Sequence, residues 1–575
     1  MSIHSPRRIP VLGLTIGLVL ALALPAAAQG PPDHAGPPGH ANATEGAGPP
    51  DHAGPPDEAQ VTVVNSGHLH GKAIDLDWRA DEPFPEGEER GVARISTMMN
   101  EIREDRGEEQ TLLFDTGDTI QRTPFTHYFQ AQQPFHETGR THPMAKVVNH
   151  VGWDAWAAGN HEWNYGLDLL DAFADQVEAP MHAANAVDPD TGDPLYAPYS
   201  IHTVNLKGQK PIDVAFLGLT HPESAVWDRH HVEGKVEFLD PVETAQDYVP
   251  GLRDQADLVL VAVHAGVSEY GAPLAEEVPG IDAVLAGHTS ERSEWVENQE
   301  TGEDVLVAMK GTDGTWSSII DFELAKERGE WTVTDIAHEE VDAGEFAEDP
   351  EVVALVEDDV QEVREWLDTS IGEATEDMPL ADALQEDVAA MDWMNVVQKE
   401  EVEQALDGTE HEDLPVLSAA PPLNTGLGLD EGELLVRDVF GLYQYENNVL
   451  KAVKATGEDV LDYLEWTAAN HNPWFFAPTY PTDIEFDLTQ DEGERVVLAE
   501  YEGEPLTEDD EFVLTTTNYN INGGGGGPLP DLEVVYPRDD DFRHPPDLFV
   551  DWVEEHHTVD PDDDWRIHNW EIVGE

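Results

Sequence analysis

Five short segments of the sequence each present a metal-ligand side chain beside a glycine or a second ligand: His68-Leu69-His70, Gly117-Asp118, Gly159-Asn160-His161-Glu162, His264-Ala265-Gly266 and Gly287-His288. Glycine lets a backbone turn tightly, so the neighbouring side chain can point into a shared site. A lone histidine at a strand end is an ordinary hydrogen-bonding residue. Five such segments in one chain, four of them just after an apolar run, point instead to a metal centre. Cysteine is absent, so the ligands must be His, Asp, Asn or Glu, and thiolate nucleophiles and Cys-based zinc sites are excluded. Two divalent ions about 3.5 to 4 Å apart that share one carboxylate can activate a water and clamp phosphoryl oxygens during an in-line displacement. Asp118 is the natural shared carboxylate.

The elements that must hold these residues are visible as apolar runs. Residues 61–64, 111–114, 214–219, 258–263 and 283–285 read as buried strands, and helix-like stretches alternate with them between residues 58 and 342. That is an α/β pattern, and most of the runs lead into a loop carrying His, Asp or Asn, where α/β proteins place chemistry. A helical stretch over residues 350–369 reads as a connector. A second α/β region follows, with a Gly-rich turn at residues 523–527 and an acidic tail. The expected division is an export signal (1–28), a Pro/Gly/His-rich linker (29–58), a first domain (59–342), a helical connector (343–379) and a second domain (380–575).

The export signal rests on Arg7 and Arg8, an apolar run over residues 11–24, and Ala26, Ala27 and Ala28, in the order of a cleavable leader. The paired arginines suit the twin-arginine route, and a general secretory signal can begin the same way; either places the mature chain outside the cell or at its surface. The apolar run is short beside the ~20 residues of a membrane span, so stable insertion after cleavage is not expected. In the linker the unit GPPDHAGPP occurs twice, with nothing apolar enough to build a core. Acidic residues number 119 against 29 basic ones, a formal charge of −90, which excludes a nucleic-acid polymer as partner. With 40% hydrophobic residues and 15 Trp the chain is a folded one, and its self-repelling surface suits concentrated salt. The reading is a halophilic protein, expected to be a monomer.

Beyond these motifs the sequence resembles the calcineurin-like metallophosphatases of the 5'-nucleotidase group, and within it the bifunctional 2',3'-cyclic-nucleotide 2'-phosphodiesterase/3'-nucleotidases. The resemblance is carried by GNHEWNYG (residues 159–166), VWDRHHVEGKV (226–236), VLSAAPP (416–422), LYQYENNVLKAVKATGEDVLDYLEWTA (442–468) and TTNYNINGGG (516–525). It implies a four-layer α/β/β/α metallophosphatase domain, the helical connector, and a C-terminal α/β nucleotidase substrate-binding domain. It implies one metal held by Asp118, Asn160, His264 and His288, and a second held by His68, His70, Asp118 and Ser290. Here the sequence departs twice from the family, since His68 stands where the family has Asp and Ser290 where it has His. The imidazole-rich set favours zinc, manganese or cobalt. By the same resemblance His161 stabilises the transition state and leaving group, Asn164 orients it, and Tyr445 and Tyr519 stack on the base of a nucleotide substrate. The family's basic residue near the phosphate is missing at residues 421–424, which leaves that contact to the metals or to another group. Hydrolysis of 2',3'-cyclic nucleotides and 3'-nucleotides is the activity implied. A 5'-nucleotidase, or a nucleotide-binding protein with a degenerate metal site, is the alternative.

Overall fold

The computed structural model describes residues 58–574 except 328, 444, 446–447 and 538–541. The expected export signal and all but the last residue of the expected linker lie outside the described residues.

The strand Leu258–Val263 shows how the first domain is built. All six side chains are buried, and they divide by the period of two that a strand imposes. Leu258, Leu260 and Ala262 enter one core, and Val259, Val261 and Val263 another. A strand covered on both faces belongs to the inner layers of a multilayer fold. Two six-stranded sheets make those layers. One runs Glu330–Asp342, Trp316–Glu327, Glu58–Ser66, Thr111–Asp115, Ala155–Ala157, Met181–His182 in spatial order. The other runs Glu294–Glu297, Asp304–Ala308, Ala283–Ala286, Leu258–Val263, Ile212–Leu219, Tyr199–Val204. Val61, Val63 and Phe114 of the first sheet meet Phe216, Leu260 and Leu285 of the second in a shared core. On the outer faces, helices Val92–Arg106 and Pro143–Val151 cover the first sheet, and Pro241–Arg253 and Ala272–Glu277 cover the second. The four-layer α/β/β/α arrangement expected from the sequence is therefore present.

Glu58–Ser66, Thr111–Asp115 and Ala155–Ala157 run parallel, as do Leu258–Val263 and Ala283–Ala286. Every ligand-bearing segment follows the carboxyl end of one of these strands. The two sets of loops meet at one end of the sandwich.

The helix Pro350–Leu367 starts where Asp349 accepts a hydrogen bond from the Glu351 amide (2.9 Å) and Pro350 opens the first turn. Val352, Val356, Val360, Val363 and Leu367 form its buried stripe, packed against Pro143–Val151 and Val92–Arg106. Thus the connector is docked on the first domain rather than free. It also ends earlier than expected, because Ser370–Ala374 already pairs with Gly432–Leu435 and Thr558–Val559 of the second domain.

The second domain holds two four-stranded sheets, Val416–Ser418, Glu511–Thr517, Leu450–Thr456, Glu533–Tyr536 and Glu504–Pro505, Val496–Tyr501, Asp483–Phe486, Trp570–Ile572. The acidic tail expected at its end is instead part of the fold. Helix Pro545–His556 buries Leu548, Phe549 and Val553, and Trp570–Ile572 pairs in parallel with Asp483–Phe486. The apolar spacing inside an otherwise acidic stretch decides this outcome. Among the described residues no helix is long and apolar enough to cross a membrane.

Candidate metal centre and nucleoside cavity

Among the described residues ten non-glycine positions have positive φ, and six of them surround one site: His68, His70, Asp118, Arg122, His288 and Asp313. Such conformations cost on the order of 1 to 3 kcal/mol each and persist only where the surroundings over-determine them. The principal clamp is the buried Glu162 carboxylate. It accepts from the amides of Asp118 (2.8 Å), Thr119 (2.7 Å) and Gly159 (2.7 Å), and so ties the Gly117-Asp118 loop to the Gly159-Asn160 loop. Gly159 is required for that approach, since a Cβ there would lie 2.3 Å from Asp118 Oδ1 and 2.6 Å from the Asp118 amide. Asp118 Oδ1 in turn accepts from the His161 amide (2.9 Å).

Proton placement turns the ring nitrogens inward. His70 Nδ1 lies 2.8 Å from Asp313 Oδ1, and His264 Nδ1 contacts the Thr116 carbonyl. With those acceptors taking the Nδ1 protons, Nε2 of each neutral ring carries a bare lone pair. These lone pairs face Asp118 Oδ2, at 3.6 Å from His70 and 2.8 Å from His264, and all three atoms are buried without a hydrogen-bond partner. Three inward acceptors with no donor among them call for a cation. His68, His70 and Asp118 bring ligand atoms together as one group, and Asp118, His264 and His288 as another. The Asn160 carbonyl sits 3.1 Å from His288 Nδ1. Burial lowers both His68 and His288, His288 to about 3, which keeps them neutral and ready to ligate. The residues therefore fit two ions bridged by Asp118. When bound, such a pair supplies an activated water and a clamp on phosphoryl oxygens.

His221, Glu269 and His288 form a third group by distance alone. His221 Nδ1 accepts the Glu223 amide (3.1 Å), which leaves the proton of a neutral ring on Nε2, so His221 offers no lone pair to an ion there.

The structure brings the other expected residues to the same place. Ser290 is exposed, lines the cavity over His68 and His70, and has its hydroxyl 3.4 Å from that of Thr312. Asn164 Oδ1 lies 2.7 Å from His161 Nδ1, so the amide accepts that ring proton, and its Nδ2 donates to Asp228 Oδ1 at 2.7 Å. Burial lowers His161 to about 4 and raises Asp228 to about 8.

Asp228 is a member of this relay that its motif alone did not reveal. It holds the amide of Asn164 in the orientation that presents oxygen to His161. Asp228→Asn should free the amide to turn, and kcat should fall about 10- to 100-fold, the range for partners that orient a working side chain. Metal content and KM should change little. Steady-state kinetics with metal analysis decides this, and an unchanged kcat would leave Asp228 a packing role only.

Asp313, which fixes the His70 tautomer, and Lys310, wholly buried and facing Asp118, Asp115 and Asp313, are two more residues the motifs did not disclose. Burial lowers Lys310 to about 7.

Two cavities meet at this site. One, of about 270 Å³, is lined by Asn160, His161, Tyr445, Trp474, Phe475 and Tyr519 among others. The other, of about 740 Å³, covers the metal ligands, and both share His161, His288, Tyr445 and Trp474. In the first, Tyr519 and Phe475 lie nearly parallel, with centroids 6.1 Å apart and an angle of 25°. The Gly-rich turn backs both rings, because a Cβ on Gly524 or Gly525 would strike them at 2.3 and 2.5 Å. Tyr445 meets the Arg122 guanidinium instead, 5.6 Å from its ring centre.

Residues 53–292 match the calcineurin-like phosphoesterase family, and residues 370–531 match the family described as 5'-nucleotidase, C-terminal domain. A calcineurin-like phosphoesterase domain precedes a 5'-nucleotidase C-terminal domain in this chain. It is a metal-dependent phosphoric ester hydrolase, a phosphoesterase similar to those of the 5'-nucleotidase family. Over 89% of its length the phosphoesterase is 28% identical to the trifunctional nucleotide phosphoesterase protein YfkN of Bacillus subtilis, of which it spans 39%. It is 28% identical, over 88% of its length, to a 2',3'-cyclic-nucleotide 2'-phosphodiesterase/3'-nucleotidase of Yersinia enterocolitica, spanning 87% of that protein. The crystal structure of a 5'-nucleotidase precursor from Thermus thermophilus shares its fold. The TM-score is 0.62 at 21% identity, covering 90% of this chain and 100% of that one.

Proposed function

We propose that this phosphoesterase hydrolyses 2',3'-cyclic nucleotides and 3'-nucleotides outside the cell, releasing nucleoside and phosphate. The observation that carries the proposal is the aromatic cavity opening directly onto the metal ligands through His161, His288, Tyr445 and Trp474. A base between aromatic rings gains roughly 1 to 3 kcal/mol and can be any base, while its phosphate reaches the metal pair. In this reading Tyr445 and Tyr519 contact the base, and His161, held by Asn164, assists departure of the leaving oxygen. One ion would be held by Asp118, Asn160, His264 and His288, and the other by His68, His70 and Asp118, with Ser290 able to hold a water. Four imidazoles in the set favour zinc, manganese or cobalt over magnesium. The names of the relatives and the Asn at 164 support the cyclic-nucleotide branch over a 5'-nucleotidase.

The test is hydrolysis of 2',3'-cyclic AMP, 3'-AMP and 5'-AMP by the purified enzyme in high salt, with phosphate release as readout. The first two should be turned over faster. A clear preference for 5'-AMP would move the enzyme to the other branch.

A further inference from the structure

We infer that Arg122 is the residue that grips the substrate's phosphoryl group, and that this chain supplies the phosphate-binding cation from its metal-bearing domain. The inference rests on the phosphoesterase reaction at the metal pair, and not on which nucleotide is preferred.

The first observation is a demand left unmet elsewhere. The residues lining the aromatic cavity include no Lys or Arg and one carboxylate, Asp228. A nucleotide there has no cation from the second domain to meet its charge. The metal cavity, in contrast, is bordered by Arg90, Arg122, Arg292 and Lys310. Three of these are otherwise engaged. Arg90 pairs with Asp313 (3.2 Å), Arg292 with Glu340 (2.6 Å), and Lys310 is wholly buried against Asp115 and Asp118. Among the described residues no carboxylate lies within ion-pair distance of Arg122, in a chain that carries 119 acidic residues against 29 basic ones. Its approach to His70 Nδ1, 3.4 Å from its own Nη1, satisfies neither group, because the proton on that nitrogen goes to Asp313.

The second observation is position. The Arg122 guanidinium lies over the ring of Tyr445, which lines both cavities. A cation at that junction stands where a nucleotide with its base among the aromatic rings must place its phosphate. The planar guanidinium fork matches two phosphoryl oxygens at once. Arg122 also belongs to the loop that carries Asp118, so the spacing between guanidinium and metal bridge is set within one short segment.

The third is backbone cost. Arg122 sits at φ 79, in the left-handed region where glycine is at ease and a long side chain is not. An arginine retained there without an ion-pair partner is strain held for a purpose other than stability.

Arg122→Gly separates the two roles, because it removes the guanidinium and relieves the backbone together. Its unfolding temperature should equal or exceed that of the wild type, and its metal content should be unchanged. Its kcat/KM should fall on the order of 100-fold, as for loss of a donor to transition-state charge, for 3'-AMP and equally for the base-free ester bis-p-nitrophenyl phosphate. Added guanidinium ion should restore part of that loss, which a structural role would not allow. Arg122→Lys should fall between the two, since an ammonium keeps the charge without the fork. A glycine variant within threefold of the wild type on both substrates, or one that loses metal, overturns the inference. Failure of the wild type itself to cleave either ester would instead strike at the phosphoesterase reading.

Discussion

Asp118→Asn should abolish turnover, by at least about 1,000-fold on the scale of losing a principal charge stabiliser, while the chain stays folded. The substitution is chosen to change little else. Asparagine tolerates the left-handed backbone at φ 61, and its carbonyl can still accept from the His161 amide. The Asp118 amide still donates to Glu162. What goes is the negative charge facing His70 at 3.6 Å, His68 at 3.4 Å and His264 at 2.8 Å. A neutral amide cannot bridge two divalent ions, so each half-site is left with imidazoles and at most one neutral oxygen. Mass spectrometry under native conditions should read two ions per chain in the wild type and fewer in the variant, with matching circular dichroism spectra. Two ions retained together with full activity would mean that Asp118 is not the bridge.

The second large effect concerns salt. Pairing every Lys and Arg would still leave 90 carboxylates without a partner. Several of the pairs present are exposed, such as Lys210–Glu330 at 2.7 Å and Lys454–Glu511 at 2.6 Å, and exposed pairs contribute little. Passing from ~1 M to ~0.1 M salt lengthens the screening distance from about 3 to about 10 Å, so repulsion reaches carboxylates several residues apart. Dialysis to ~0.1 M should therefore unfold or inactivate the enzyme, and returning to molar salt should restore it if the unfolded chain stays soluble. An unfolding temperature that does not move between the two buffers would remove the halophile reading.

Both effects turn on residues that sequence reasoning could find, and the contrast with those it missed is physical. His68, His70, Asp118, Asn160, His264 and His288 were legible because each follows an apolar strand within a few residues, and parallel strands deliver their carboxyl ends to one edge. The unbroken apolar run Leu258–Val263 likewise announces a strand covered on both sides. Asp313 left no such trace. Flanked by Gly311 and Gly314, it reads as a turn between strands, and only its approach to His70 gives it a role. Asp228 lay inside a segment that supported the family, yet its function depends on an amide 64 positions away. Glu162 lies within its motif, but the three amides that donate to it come from two loops. Arg122 stood in plain view between Asp118 and Pro124, and nothing in its type reports a positive φ. Side chains that act through space on a neighbour's proton or backbone have no periodicity to betray them. The fate of the C-terminal stretch was obscured differently, since its acidic content hid the apolar spacing of Leu548, Phe549 and Val553.

The Glu162 clamp also ties the fates of the two half-sites together. Three backbone amides converge on one carboxylate, so the loop that carries Asp118 and the loop that carries Asn160 are bound to each other through a single side chain. His70 and His264 are likewise oriented by Asp313 and the Thr116 carbonyl. Loss of the Glu162 carboxylate would therefore loosen ligands of both half-sites at once.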